Sequence, residues 1–378
     1  MYKVDYETFI NQPVPYDEFI DYVYNKNIYP LHVNFKSTDK EKICDEVLKR
    51  YNKNKLDPKN VFVYVVFAIK KGFGPVADEK PLLDLLEANF LNSVGDFEIL
   101  YAEIIGFNNS EKACELFEKA VEKGNEYASC LLANYYIFAP YGNEKNYKKA
   151  LEICINEHER SHYPKATYML ANIYLRGIGV DVDLEKAIKL FKEAADKNHP
   201  DSIYELARII DENDDDESHK LAFQLFEKAA NLGSVYALSL VTEAYYNGDR
   251  EGVKYDEEKA FNYARKGFLL GSVSCSITYA SCIYQGQGVK PNKNLAKELL
   301  IEMANEGVYQ AATALALLLD ADHFEDKDLI FRLLAKATSM GDEAAVIYLN
   351  DVYNNKNYGT SQEYEKAIKA YNELKGIK

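Results

Sequence analysis

A small side chain returns at a near-constant interval along most of this chain. Ala128, Ala166, Ser202, Ala237, Cys275, Ala311 and Ala345 are separated by 38, 36, 35, 38, 36 and 34 residues. A second series lies between them, each member closing with a residue eleven positions after its first. It runs Ala113, Phe117, Ala120, Gly124; then Ala187, Leu190, Ala194, Asn198; then Ala222, Phe226, Ala229, Gly233. Ala260, Ala264, Gly267, Gly271 follow, then Ala296, Leu300, Met303, Gly307 and Ile330, Leu334, Ala337, Gly341. Residues at such spacing share one helical stripe, and small ones let a neighbouring helix approach. A period in the mid-thirties marks stacked helix pairs, none of which buries its apolar face alone.

The stretch 164–198, PKATYMLANIYLRGIGVDVDLEKAIKLFKEAADKN, shows the unit most fully. Ala166, Tyr168, Leu170, Ala171 and Tyr174 sit at near-helical spacing in its first half. Gly177 and Gly179 can end that helix because glycine enters positive φ without strain. Asp183 is placed to cap the second helix, and Asn198 to close it in the left-handed region. Ala-x-Tyr-x-Leu-Ala-x-x-Tyr-x-x-Gly-x-Gly-Val, followed by Lys-Ala and Ala-Ala, resembles the Sel-1-like repeat, a relative of the tetratricopeptide repeat with a longer inter-helix loop. Residues 275–307, with IYQGQGV, and 237–271, with AYYNGDREGV, carry the same pattern. The resemblance implies an all-α fold: a right-handed superhelix, or solenoid, of about nine helix–turn–helix repeats. Residues 57–378 would form it, with a divergent unit at 61–93 and a short one at 97–124. Residues 1–56, broken by Pro13, Pro15 and Pro30, are expected to form an N-terminal helical cap over the exposed apolar end.

The chain has 378 residues and a net charge of −15. That acidity disfavours nucleic acid and anionic membrane as ligands and suits a basic protein partner. The six cysteines are scattered rather than paired within repeats, so reduced packing thiols are expected. The opening MYKVDYETFINQPVPYDEF has neither a basic start nor an apolar core, which argues against a signal peptide and for a cytoplasmic protein.

Two places could carry inorganic chemistry. His158-Glu159-Arg160-Ser161-His162 is a literal His-Glu-x-x-His, in which two histidines one helical turn apart can bind zinc beside a base. Ser161, however, stands where glycine ends other second helices, so His162 should lie past the helix end, and no third ligand is evident. The expectation is no metal or cofactor, His158 instead filling the second place of the Ala-Ala pair beside Glu157. A zinc metallohydrolase is the minority reading. The acidic run Asp211–Glu217 lacks the glycine and the bidentate Glu of a calcium loop and reads as a solvated loop.

By analogy with the tetratricopeptide relatives, the first helices would line a concave face. The exposed inner positions would then be Tyr127, Asn134, Lys165, Tyr168, Asn172, Arg176, Tyr204, Arg208, Glu243 and Tyr246. Tyrosine offers rigid area with a polar tip, while Asn and Arg can grip a peptide backbone or a carboxylate. Asn134, Asn172 and Arg208 occupy equivalent slots, like part of a peptide clamp, and Glu243 opposes a carboxylate at the next. The resemblance implies a non-catalytic scaffold that binds a protein or peptide. A variant of it is an acidic neutraliser of a basic toxin.

Overall fold

The computed structural model describes Glu98, Ile99 and Ala102, then residues 110–138 and 144–376 apart from 214, 251 and 357. The expected cap at 1–56 and the divergent unit at 61–93 lie outside the described residues. Those described form helices joined by turns, without a strand. They fall into two units divided between Ser234 and Val235.

The first unit holds α1 (Ser110–Glu122), α2 (Glu126–Phe138), α3 (Glu144–Ser161), α4 (Pro164–Arg176), α5 (Leu184–Asp196), α6 (Pro200–Asp211) and α7 (Asp216–Leu232). The second holds α8 (Val235–Asn247), α9 (Glu257–Leu269), α10 (Val273–Gln285), α11 (Lys293–Asn305), α12 (Tyr309–Ala321), α13 (Lys327–Ser339), α14 (Glu343–Asn354) and α15 (Ser361–Lys375). From α2 onward these are helical hairpins in the expected register. All seven anchor residues are buried, none more than 1% exposed. Between them lie the fully buried rings of Phe117, Phe191, Phe226 and Phe331, each contributing roughly 2–3 kcal/mol by leaving water.

Local chemistry explains each boundary of the α4–α5 hairpin. Pro164 opens α4, where a missing N–H costs nothing. Gly177 ends it at φ 67, and the amide of Asp183 donates to the Tyr174 carbonyl across the loop. The Asp183 carboxylate then accepts from the amide of Lys186 at 2.9 Å and caps α5. Asn198 takes φ 59, and the His199 amide returns to the Ala194 carbonyl. The same closure recurs at Gly233, Gly271, Gly307 and Gly341, all at positive φ, with the next amide returning to the carbonyl five residues back.

The Lys of the Lys-Ala pair has a tertiary reason. Lys186 Nζ lies 4.0 Å from the Tyr174 ring centroid and donates to its hydroxyl at 2.7 Å. Lys259 does the same to Tyr245, at 4.4 and 2.8 Å, and Lys149 approaches Tyr136 at 5.0 and 3.5 Å. Each pair staples the end of a first helix to the start of its second, a contact worth about 0.5–1 kcal/mol.

The α2–α3 hairpin departs from the others. Its buried second-helix series is Ala150, Cys154 and Glu157, so a carboxylate stands where Ala120, Ala194 and Ala229 stand elsewhere. Glu157 is only 4% exposed and is satisfied by hydrogen bonds from Ser129 Oγ (2.9 Å), Ser161 Oγ (2.7 Å) and Arg160 (2.9 and 3.0 Å). Ser161 stays helical, and the left-handed residue shifts one place to His162, at φ 50.

Candidate functional site

Contacts link some of the proposed inner positions of the first unit between successive first helices α2, α4 and α6. The Lys165 ammonium sits 4.4 Å from the centroid of the Tyr127 ring. Tyr127 itself is buried, at 7% exposed, which corrects its expected place at the exposed lining: Lys165 covers it. The Tyr168 ring packs 4.8 Å from His199 and 5.9 Å from Phe191, and Tyr204 packs 5.4 Å from Phe226. These tyrosines are therefore half-buried, with one face spent on the core.

Further along the same helices, Asn134 and Asn172 are half-buried. Asn172 donates from Nδ2 to its own helix at the Tyr168 carbonyl, 3.1 Å away. Arg208 is half-exposed but paired locally, to Glu205 of α6 at 3.1 Å and to Glu212 just past its end at 3.9 Å. Burial raises the Glu205 pKa, opposed by the charges of Arg208 and Arg176. The end of the surface is thus charge-compensated, not a bare cationic clamp for a carboxylate. Glu243, exposed, and Tyr246, half-buried, belong to α8 of the second unit, where the Tyr246 hydroxyl reaches Gln285 at 3.4 Å.

His199 sits among these groups and was not singled out by its sequence context. It caps α6, its Nδ1 accepting from the Ser202 amide at 3.3 Å. Burial, helped by the charge of Lys165, pulls its pKa down to about 4 from an ordinary value of 6.5. The folded protein holds the neutral ring, so its contribution to stability is complete above pH 6.5 and is lost as pH falls from there through about 4. His199→Asn keeps a capping oxygen and removes the titration. Its melting temperature should fall less between pH 7 and pH 4 than that of the parent; parallel curves would show that His199 is not held neutral.

The His-Glu-x-x-His segment takes a form its register did not suggest. Although His162 leaves the helical φ range, its amide still donates to the His158 carbonyl at 2.9 Å. That bond continues the helical ladder by one residue, so the two rings meet edge to face, 5.2 Å between centroids. Glu193, from α5 of the next repeat, faces both. Its carboxylate oxygens lie 3.2 Å from His162 Nδ1 and 3.9 Å from His158 Nε2. The third member that the motif lacks along the chain, a carboxylate, is thus supplied across the stack, while Glu159 is exposed and has no part in the trio. In the acidic loop, Asp215 accepts from the Ser218 amide at 2.8 Å to cap α7, and Asp211 pairs with His219 at 3.1 Å. Those carboxylates serve the fold locally.

The model of the Sel1 repeat family matches this chain over residues 104–125, 164–199, 200–234, 235–272 and 279–308. The chain thus carries Sel1 repeats in five segments. The longest break between matched Sel1 segments, 126–163, is the α2–α3 hairpin, whose Ala-Ala pair is Glu157-His158 and whose second helix runs one residue further. Among solved structures, a protective antigen of uropathogenic Escherichia coli displaying an SLR fold is 19% identical, with a TM-score of 0.48. The match covers 77% of this chain and 64% of that one, so this chain spans less than two thirds of that protein's length. A Sel1 repeat protein from Oxalobacter formigenes is also 19% identical, with a TM-score of 0.46, covering 73% of this chain and 99% of that one. An immunity protein of Pseudomonas aeruginosa is 17% identical, with a TM-score of 0.32, covering 66% and 81%. Sel1-repeat proteins generally act as protein-interaction scaffolds. No helix among the described residues is long and apolar enough to cross a membrane. The five described cysteines are free thiols, and burial pushes Cys130 and Cys282 up to about 12. These are packing residues, not nucleophiles.

Proposed function

We propose that this protein is a non-catalytic adaptor that binds a protein or peptide along the surface formed by α2, α4 and α6. The supporting observation is the row of half-buried tyrosines beside Asn134, Asn172, Arg176 and Arg208, drawn from three successive first helices. Rings already packed against the core lose little freedom on binding, so their exposed faces give contact area at low entropic cost. The charge-compensated end, with Arg176 and Arg208 beside Glu205, suits an extended backbone and mixed side chains better than a free carboxylate. The net charge of −15 adds long-range attraction for a basic partner and speeds its association.

Full-length protein used as bait, followed by titration of the captured partner, tests this. Asn172→Ala combined with Arg208→Ala should weaken binding at least about tenfold, or 1.4 kcal/mol. Both sites lie at the surface, and Arg176 still offsets Glu205, so the melting temperature should hold. An undiminished affinity would place the partner on another face.

A further inference from the structure

We infer that His158, His162 and Glu193 form a binding site for a divalent transition metal of the zinc class, clipping two successive repeats together. The three ligand atoms lie within 4.8 Å of one another. The two ligand-to-carboxylate separations, 3.2 and 3.9 Å, bracket the edge of roughly 3.3 Å expected of a tetrahedral site with bonds of about 2.0–2.1 Å. His162 is 57% exposed at its side chain and free to swing the remaining distance.

The hydrogen bonding around His158 prepares it as a ligand. The buried Thr167 hydroxyl donates to the Tyr163 carbonyl at 3.2 Å, so its oxygen is left to accept from His158 Nδ1 at 2.9 Å. A proton fixed on Nδ1 turns the Nε2 lone pair toward Glu193, 3.9 Å away. Two acceptors facing each other repel unless a cation stands between them, and an Nδ1–H anchored on a polar partner is the usual support of a metal-bound imidazole. The setting favours that cation. Two neutral imidazoles and one carboxylate leave a single negative charge, the site lies at the carbonyl ends of α3 and α5, and the whole chain is acidic. Lys197 lies at the rim, its Nζ donating to the His162 carbonyl at 2.8 Å, and its charge opposes the cation, while Arg160 is paired with Glu157 at 2.9 Å.

The sequence explains why this site falls at one repeat. Elsewhere the place of Glu157-His158 holds small or apolar pairs such as Ala194-Ala195 and Ala229-Ala230, with no histidine, and the left-handed residue is glycine or asparagine one position earlier. A histidine at φ 50 carries a strain that glycine would relieve. Ligation of Glu193 would join the end of α3 to α5 of the next repeat, beside the Lys197 hydrogen bond to the His162 carbonyl that already spans this seam.

Zinc binding to the chelator-stripped full-length chain, by equilibrium dialysis and calorimetry, tests the inference. One equivalent should bind, with a rise in melting temperature that a chelator reverses. His162→Gly removes a ligand while suiting the backbone, and Glu193→Gln removes the charge; each should weaken binding at least about a hundredfold. His323→Gly is the matched control, another histidine at positive φ (54), and should bind as the parent does. Failure of the parent to bind one equivalent, retention of that binding in both variants, or equal loss in His323→Gly would overturn the inference.

Discussion

Ala171→Asp is expected to unfold the first unit at ordinary temperatures. Ala171 is 0% exposed in the middle of α4 and belongs to the core cluster that also holds Ala128, Ala166, Ala187 and Phe191. Its methyl group is fully enclosed in an apolar cluster, and the alanines and phenylalanine just named offer no side-chain donor to a carboxylate. A charge buried without a partner must be desolvated or protonated, and either outcome costs more than about 4 kcal/mol. A typical domain has only about 5–15 kcal/mol in hand. Glu157 shows what a carboxylate in such a slot requires: two serine hydroxyls and an arginine supply its hydrogen bonds. Circular dichroism and limited proteolysis would read the effect, with protection lost across α2–α7. An unaltered melt would mean that residue 171 does not lie at the helix seam.

Gly288→Ala is expected to cost roughly 3 kcal/mol or more, against about 1 kcal/mol for Gly271→Ala, although both residues have similar positive φ (67 and 74). At Gly271 an added Cβ meets nothing within 4 Å, so only the left-handed backbone resists it. At Gly288 it would run into the Glu257 carbonyl oxygen and come within 2.9 Å of Phe261 Cβ. Those atoms belong to the first turns of α9, in the preceding hairpin, and backbone there cannot yield without moving a helix. Gly179 stands in the same relation to Tyr147 of α3, where its Cβ would approach to 2.8 Å. The first glycine of each loop, Gly177 or Gly286, meets only its own loop, at Val182 or Pro291. Chemical denaturation of the two alanine variants checks this, and equal losses would reduce the second glycine to a turn residue.

Much of the architecture was legible in the chain. The small anchors, the Asp183 cap, the left-handed Asn198 and the stop at Gly177 each follow from conformational rules that act within a few residues, and the structure shows each of them. The inner surface was legible only as a set of positions. Periodicity places Tyr127 and Lys165 on first helices, but not one on top of the other. It likewise gives Arg208 its slot without the two glutamates that engage it.

The metal-binding trio marks the boundary most sharply. Order along the chain supplied His158 and His162 and, through the repeat register, an argument that they should part. A single backbone hydrogen bond from His162 to His158 keeps them together, and Glu193 arrives from a different repeat. Spacing in a sequence encodes periodicity, caps and turns because those are set by neighbouring torsions. Which side chains meet between repeats depends on where each helix ends and how closely its neighbour can approach, and those distances exist only once the hairpins have packed.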